Sequence, residues 1–255
     1  GRVLLTYAPH AVYTVSGGTL RALAEQAAAS GSYLHIHAAE TRQEVADCRK
    51  AHDGMTPVAW LDACGVLGPR TVLAHGVHLT ADDIARIRDR GATVVHMPCS
   101  NAKLASGRFD YRATVEKGGC RFALGTDGCA SNNSLSMFGE MKTAALLAKL
   151  GAGDPACAKD TAIWEAATRG GAAAFGLNAG VIAEGAAADA LLLDPDNPLL
   201  APEHQLVANL VYAADSSCVD TVICAGRVLM EKRRVDGAGE ILDAARASAR
   251  RIAAG

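Results

Sequence analysis

The sequence predicts an α/β fold in which a parallel sheet alternates with helices and a small β appendage follows. Three observations carry this. Short β-branched and aliphatic runs alternate with longer helix-patterned runs through residues 1–178. The strand-like runs are short, β-branched or aliphatic, and alternate too little to mark a solvent face, as expected of strands buried on both sides. Beyond residue 178 the pattern changes to short runs broken by Gly185, Pro195, Pro198 and Gly226.

The first strand candidate is 3–7. Those that follow are 33–37 (Tyr33-Leu-His-Ile-His37), 71–75 (Thr71-Val-Leu-Ala-His75), 92–96 (Ala92-Thr-Val-Val-His96) and 121–127 (Arg121-Phe-Ala-Leu-Gly-Thr-Asp127). Helices are predicted between them over 19–30, 42–50, 57–64, 80–90 and 111–117. The fourth carries its own start and stop signals. Thr80 is an N-cap followed by Asp82 and Asp83, and Arg88 and Arg90 precede a terminal Gly91. Strands alternating with helices imply βαβ units and a parallel sheet. A helix over 134–150 places Met, Phe and Leu at core spacing, and another spans 161–175. Strands with turns at Gly185 and Gly226 are expected within 180–194 and 219–235, and a closing helix over 238–254. The chain therefore divides into a barrel-like part, 1–178, and a β appendage, 179–255.

Composition excludes several function classes. Of 255 residues half are apolar and 20% charged, with a net charge of −2 and no Lys/Arg block, so nothing favours nucleic acid or an anionic membrane. No apolar run reaches the ~18 residues of a membrane span. The eight cysteines form no CxxC pair and read as small buried hydrophobes in a reducing cytoplasm.

The polar residues that could do chemistry fall at strand ends. His37, His75, His96 and Asp127 each close a strand at its carboxyl end, the face where a (β/α) barrel gathers catalytic groups. His37-Ala-Ala-Glu40 puts an imidazole beside a carboxylate that can move a proton without binding metal. His35 points to the same side of its strand as His37, but only His37 adjoins the loop that brings in Glu40. Asp127 opens a loop of small residues and offers a hard anionic ligand. His78 reads as a solvated loop residue. The loop from His96 to Gly107 reads as a pocket wall, and the turn at Pro9-His10 could hold an imidazole over that pocket.

In order and spacing, the stretches PHAxYT, HIHAAET, AHGVHL, HxPxSNxKLASG and GTDGxASNNxLxMFxEM resemble the amidohydrolase superfamily. The resemblance is to its adenosine- and chlorotriazine-type aminohydrolase branch, above all the 5′-methylthioadenosine/S-adenosylhomocysteine deaminases. It covers nearly the whole chain, including Ala167-Thr-Arg-Gly-Gly-Ala-Ala173 and Gly185-Ala-Ala-Ala-Asp189. It implies the C-terminal part, about five strands, of a (β/α)8 TIM-type metallo-hydrolase barrel with a small β-sandwich appendage. It makes His37 and Asp127 metal ligands, Glu40 the proton shuttle and a substrate contact, His75 the residue that orients the attacking hydroxide, and His10 a substrate contact. Asp127 also takes part in proton transfer. The implied metal is one divalent ion per subunit, zinc first, with iron or manganese as alternatives. The implied reaction is hydrolytic deamination of a small purine nucleoside by metal-activated water. Family members often form dimers or tetramers, so a homo-oligomer is the implied assembly.

One departure matters. The family carries an earlier His-x-His pair that supplies two more ligands, whereas the single His-x-His here is His35/His37. Five strands cannot close an eight-stranded barrel. With Gly1 at its front, the chain is expected to be the C-terminal portion of a longer protein and to show little or no activity alone. A chlorotriazine or guanine-type hydrolase, and a non-catalytic remnant without the ligand pair, are the competing readings.

Overall fold

The computed structural model describes residues 3–254; Gly1, on which the truncation reading leaned, and Arg2 lie outside the described residues. Five parallel strands form one sheet: β1 (Thr6–Tyr7), β2 (Tyr33–Ala38), β3 (Thr71–His75), β4 (Thr93–His96) and β5 (Arg121–Leu124). Their spatial order is their chain order. That is the layout of a barrel wall; in a doubly wound sheet the order reverses at a switch point. In register, His37 lies beside Ala74, Val72 beside Thr93 and His96 beside Leu124.

The helices are α1 (Gly17–Ser30), α2 (Arg42–Ala51), α3 (Pro57–Ala63) and α4 (Ala81–Arg90), then α5 (Pro98–Lys103), α6 (Cys129–Asn132), α7 (Met137–Ala152), α8 (Asp160–Glu165) and α9 (Gly171–Ala174). Local chemistry starts and stops them. Ser16, Thr41, Thr56 and Thr80 each accept a backbone N–H as N-caps, and Thr80 with Asp83 forms a reciprocal capping box. Gly91 ends α4 in the left-handed region at φ 72°.

The sheet has two unlike faces. Leu34, Ile36, Leu73 and Val94 point into the main core with Leu20, Val58, Leu61 and Ile87 from the helices. On the other side Val72, Ala74, Val95, Met97 and Ala123 form a smaller cluster with Ala174 and Phe175.

Four expectations of secondary structure within residues 1–178 need correction. The strand over 3–7 is paired only at Thr6–Tyr7. The strand over 121–127 ends at Leu124: the Gly125 N–H still donates to the His96 carbonyl (3.0 Å), but the chain then turns, with Asp127 at φ 61°. The helix over 111–117 is a π-helical stretch, Arg112–Lys117. The helix over 161–175 is α8, a π-helical stretch Ala166–Gly170, and α9. This second wide turn falls where Gly170 lies so close to β5 that a Cβ would sit 2.6 Å from the Phe122 carbonyl oxygen.

Of the expected β-sandwich, the described residues hold one antiparallel three-stranded sheet: β6 (Ala190–Leu193), β7 (Val219–Cys224) and β8 (Arg227–Met230). Residues 180–189 form turns instead of a strand, tied by the Asn178 side-chain amide to the Gly185 carbonyl (2.8 Å). A short helix, α10 (Leu206–Tyr212), buries Leu210 with Leu200, Ala214 and Cys218 against Phe138 and Trp164. The last helix, α11 (Ala238–Ala254), forms as expected but exposes Ile241, Leu242 and Ile252. All eight cysteines are free thiols; Cys129, expected inside, is exposed at the start of α6. Among the described residues no helix is long and apolar enough to cross a membrane.

Candidate active site

At the carboxyl end of the sheet three non-glycine residues adopt left-handed backbone: Ala39 (φ 54°), His75 (φ 73°) and Asp127 (φ 61°). Each such residue costs on the order of 1 kcal/mol and persists only where its surroundings hold it. Each sits where a strand becomes a loop, so the turn aims the neighbouring side chains over the sheet.

His37 ends β2. Its Nδ1–H donates to the His10 backbone carbonyl at 2.6 Å, which leaves the Nε2 lone pair free. Its ring lies 5.0 Å from that of His10 and is stacked on His75 at 5.3 Å. The His10 ring is itself exposed, with Nδ1 3.0 Å from the Thr14 hydroxyl. His35, on the same side of β2, goes elsewhere: its ring meets Phe175 edge-on at 6.2 Å. Burial, then repulsion of a second charge beside His37 and His75, pushes the His35 pKa down.

The loop after β2 is held by a carboxylate the sequence did not mark. Glu44, buried in the first turn of α2, accepts the N–H groups of Ala39 (2.9 Å) and Glu40 (2.7 Å). So fixed, Glu40 accepts the Ser106 hydroxyl on Oε1 at 3.0 Å and places Oε2 3.7 Å from His75 Nε2. His78 is half-buried, not solvated as expected: its Nε2–H donates to the Ser106 carbonyl at 2.7 Å and steadies that loop.

His75 is 1% exposed, with Nδ1 2.8 Å from Asn101 Oδ1. The Asn101 amide donates from its other end to His96 Nδ1 at 3.2 Å. His96 is stacked on Phe109 at 4.5 Å, and burial, assisted by the field of His75, pushes its pKa down to about 3. It is a neutral structural group.

Asp127 accepts the Ser100 hydroxyl on Oδ2 and the Gly128 N–H on Oδ1, both at 2.6 Å. Burial raises its pKa, but these two bonds and the fields of His75 and His37 outweigh that and hold it below the usual carboxylate range. Behind it Glu140 of α7, 1% exposed, accepts the Cys99 N–H (3.1 Å) and the Asn132 amide (2.6 Å); Asn132 also reaches the Thr126 carbonyl. One buried acid thus ties together the loops after β4 and β5.

His10, His37, Glu40, His75 and Asp127 therefore gather at one end of the sheet, while His35 does not join them. Ser100, Asn101, Ser106, Glu44 and Glu140 escaped the sequence reading as site residues. Three of them lie in the His96–Gly107 loop, whose run of Ser and Asn was the available signal.

The donor chemistry suits a divalent metal. His37 Nε2 is a bare imidazole nitrogen, and Asp127 is an ionised, partly exposed carboxylate. Among the described residues, however, no three His, Cys, Asp or Glu side chains cluster into a full ligand set.

Residues 1–229 match the amidohydrolase family model. The chain is 47% identical over 229 residues to 5-methylthioadenosine/S-adenosylhomocysteine deaminase 1 of Archaeoglobus fulgidus, covering 90% of this chain and 54% of that protein. It is 43% identical over 242 residues to the 5′-deoxyadenosine deaminase of Methanospirillum hungatei, covering 95% and 54%. The crystal structure of an adenosine deaminase from Xanthomonas campestris with bound zinc superimposes with a TM-score of 0.91 at 37% identity, covering 96% of this chain and 56% of the other. The chain spans about half the length of the curated relatives it matches. Sheet order, strand-end residues and these likenesses agree: the chain belongs to the amidohydrolase family.

Proposed function

We propose that the chain carries the proton-transfer part of the active site of a zinc-dependent aminohydrolase that deaminates a 5′-substituted adenosine. The observation that carries this reading is the placement of Glu40 between the Ser106 hydroxyl and His75 Nε2, at the sheet end that also holds His37 and Asp127. The relatives' names, a methylthioadenosine/S-adenosylhomocysteine deaminase and a 5′-deoxyadenosine deaminase, support the substrate class.

In this reading His37 and Asp127 contribute two donors to the metal, and other donors complete its shell. Bound zinc supplies Lewis acidity that makes water nucleophilic near neutral pH. Glu40 takes one proton from the water and delivers it to the ring nitrogen beside the amine-bearing carbon. His75 Nε2 accepts a hydrogen bond from the incoming water and so directs its lone pair at that carbon. Asp127 takes a proton from the water oxygen and passes it to the departing amine, which leaves as ammonia. His10, exposed beside His37, contacts the nucleoside. Water and the amino nucleoside go in, and the hydroxy (oxo) nucleoside and ammonia come out.

The test is ammonia release by the zinc-loaded protein, as its gene encodes it, from methylthioadenosine, S-adenosylhomocysteine, 5′-deoxyadenosine, guanine and a chlorotriazine. Release from the adenosine derivatives, abolished in Glu40→Ala with zinc content unchanged, is expected. Release from guanine or the triazine alone would overturn the substrate class. Loss of zinc in the variant would overturn the role given to Glu40.

A further inference from the structure

We propose that Asn101 sets the ring tautomer of His75, placing the proton on Nδ1 and the lone pair on Nε2, the nitrogen that faces Glu40. The inference rests on three side chains in a row. Asn101, 2% exposed, stands between His75 Nδ1 (2.8 Å from Oδ1) and His96 Nδ1 (3.2 Å from Nδ2). A side-chain amide accepts at one end and donates at the other, so it cannot offer the same function to both rings.

His96 permits only a neutral ring beside the amide. It is 5% exposed and stacked on Phe109. Charging it there is disfavoured, so it remains neutral and can accept at Nδ1. In the structure the amide turns its NH2 to His96 and its oxygen to His75, and an oxygen at 2.8 Å demands a proton on His75 Nδ1.

The reverse orientation would leave a different mark. It would put the proton on His75 Nε2, aimed at the Glu40 carboxylate. An N–H facing a carboxylate closes to about 2.7–2.9 Å when the geometry allows, yet Nε2 and Oε2 stand 3.7 Å apart. The open distance fits a bare nitrogen.

The proposal rests on the reading that His75 receives the attacking water. A lone pair at Nε2 accepts the water's hydrogen and leaves its oxygen lone pair free to attack, whereas an N–H there would engage that lone pair. Asn101 is thus a positioning residue that acts through His75. The same short helix, α5, carries Ser100, whose hydroxyl holds Asp127, so one element orders both groups that meet the water.

The test reads the tautomer directly. In the uniformly 15N-labelled, metal-free protein at about pH 8, where an ordinary imidazole is neutral, long-range 1H–15N spectra report which nitrogen of each ring is protonated. His75→Gln and His96→Gln assign the signals. The wild type should show His75 protonated on Nδ1 and His96 on Nε2. Asn101→Leu, of similar size but with no polar atom, should move His75 mainly to the Nε2–H form. Asn101→Asp, which still accepts from His75, should keep His75 on Nδ1–H and move the His96 proton to Nδ1. In turnover, Asn101→Leu should lower kcat about tenfold or more with KM little changed, and Asn101→Asp should restore much of it.

Wild-type His75 protonated on Nε2, or an unchanged His75 signature in Asn101→Leu, would overturn the proposal. Should Asn101→Leu not fold, the wild-type and Asn101→Asp spectra decide alone. Absence of turnover in the wild type would count against the reaction and leave the tautomer result standing, so the two failures are distinguishable.

Discussion

The Ser106 hydroxyl donates to Glu40 Oε1 at 3.0 Å across 66 residues of chain, and the His78 imidazole holds Ser106 in place through its carbonyl at 2.7 Å. The loops after β2, β3 and β4 thus meet at a single carboxylate. Removing the hydroxyl in Ser106→Ala takes away one hydrogen bond to a charged group, worth about 1.5–3 kcal/mol. The expected result is a fall in kcat of about tenfold or more, with KM and zinc content close to wild type. Steady-state kinetics with metal analysis checks it; equal loss in both parameters and in zinc would show a general collapse of the site.

Glu140 makes a stability prediction. Glu140→Ala strips the acceptor from the Cys99 N–H and from one Asn132 bond in a buried place. Each unsatisfied group costs about 1–3 kcal/mol, so a loss of about 3 kcal/mol is expected in denaturant unfolding. Glu140→Gln keeps one acceptor oxygen and should fall between that variant and wild type. A loss below about 0.5 kcal/mol in Glu140→Ala, the level of a neutral surface change, would show that the two loops hold without it.

His96 gives a pH dependence with a defined sign. Its pKa is about 3 in the folded protein against an ordinary 6.5. Between those values the unfolded chain binds a proton that the folded chain refuses, so stability falls as pH drops from 6.5 toward 3. The slope from this residue is up to about 1.4 kcal/mol per pH unit. His96→Gln, which cannot titrate, should flatten the dependence of unfolding free energy on pH by up to about one proton in that window. Parallel curves for the two proteins would contradict the assignment.

Gly170 and Gly171 form a matched pair. A Cβ at Gly170 would meet the Phe122 carbonyl at 2.6 Å, while one at Gly171 meets nothing within 4 Å. Gly170→Ala should therefore destabilise by about 1–3 kcal/mol through overpacking against β5. Gly171→Ala, at helical φ of −63°, should be neutral or add about 0.5–1 kcal/mol. Thermal unfolding of the two variants side by side would reveal the contrast, and equal midpoints would refute it.

Much of this was legible in the sequence. The strands at 33–37, 71–75 and 92–96 end within one residue of β2, β3 and β4, because apolar runs and capping residues are local signals. The placing of His37, Glu40, His75 and Asp127 at one end of the sheet was readable because each lies at or just past the end of a strand-like run. The short β1, the early end of β5 and the π-helical stretches were not legible. Each depends on what another part of the chain brings alongside, as the Phe122 carbonyl does at Gly170.

The sequence by itself determined the alternation of strands and helices, the family, and which residues could do acid–base chemistry, since those properties follow from residue type and spacing. Only the tertiary structure decided how the residues are set to work. It sent His35 to Phe175 and His37 to His75, though both point to one side of the same strand. It gave Glu40 its Ser106 partner, Asp127 its Ser100 partner and His75 its amide. The physical reason is that a strand's alternation chooses only a side. Ionisation and tautomer depend instead on burial and on hydrogen-bond partners at about 3 Å, and here folding draws those partners from 26 to 66 residues away.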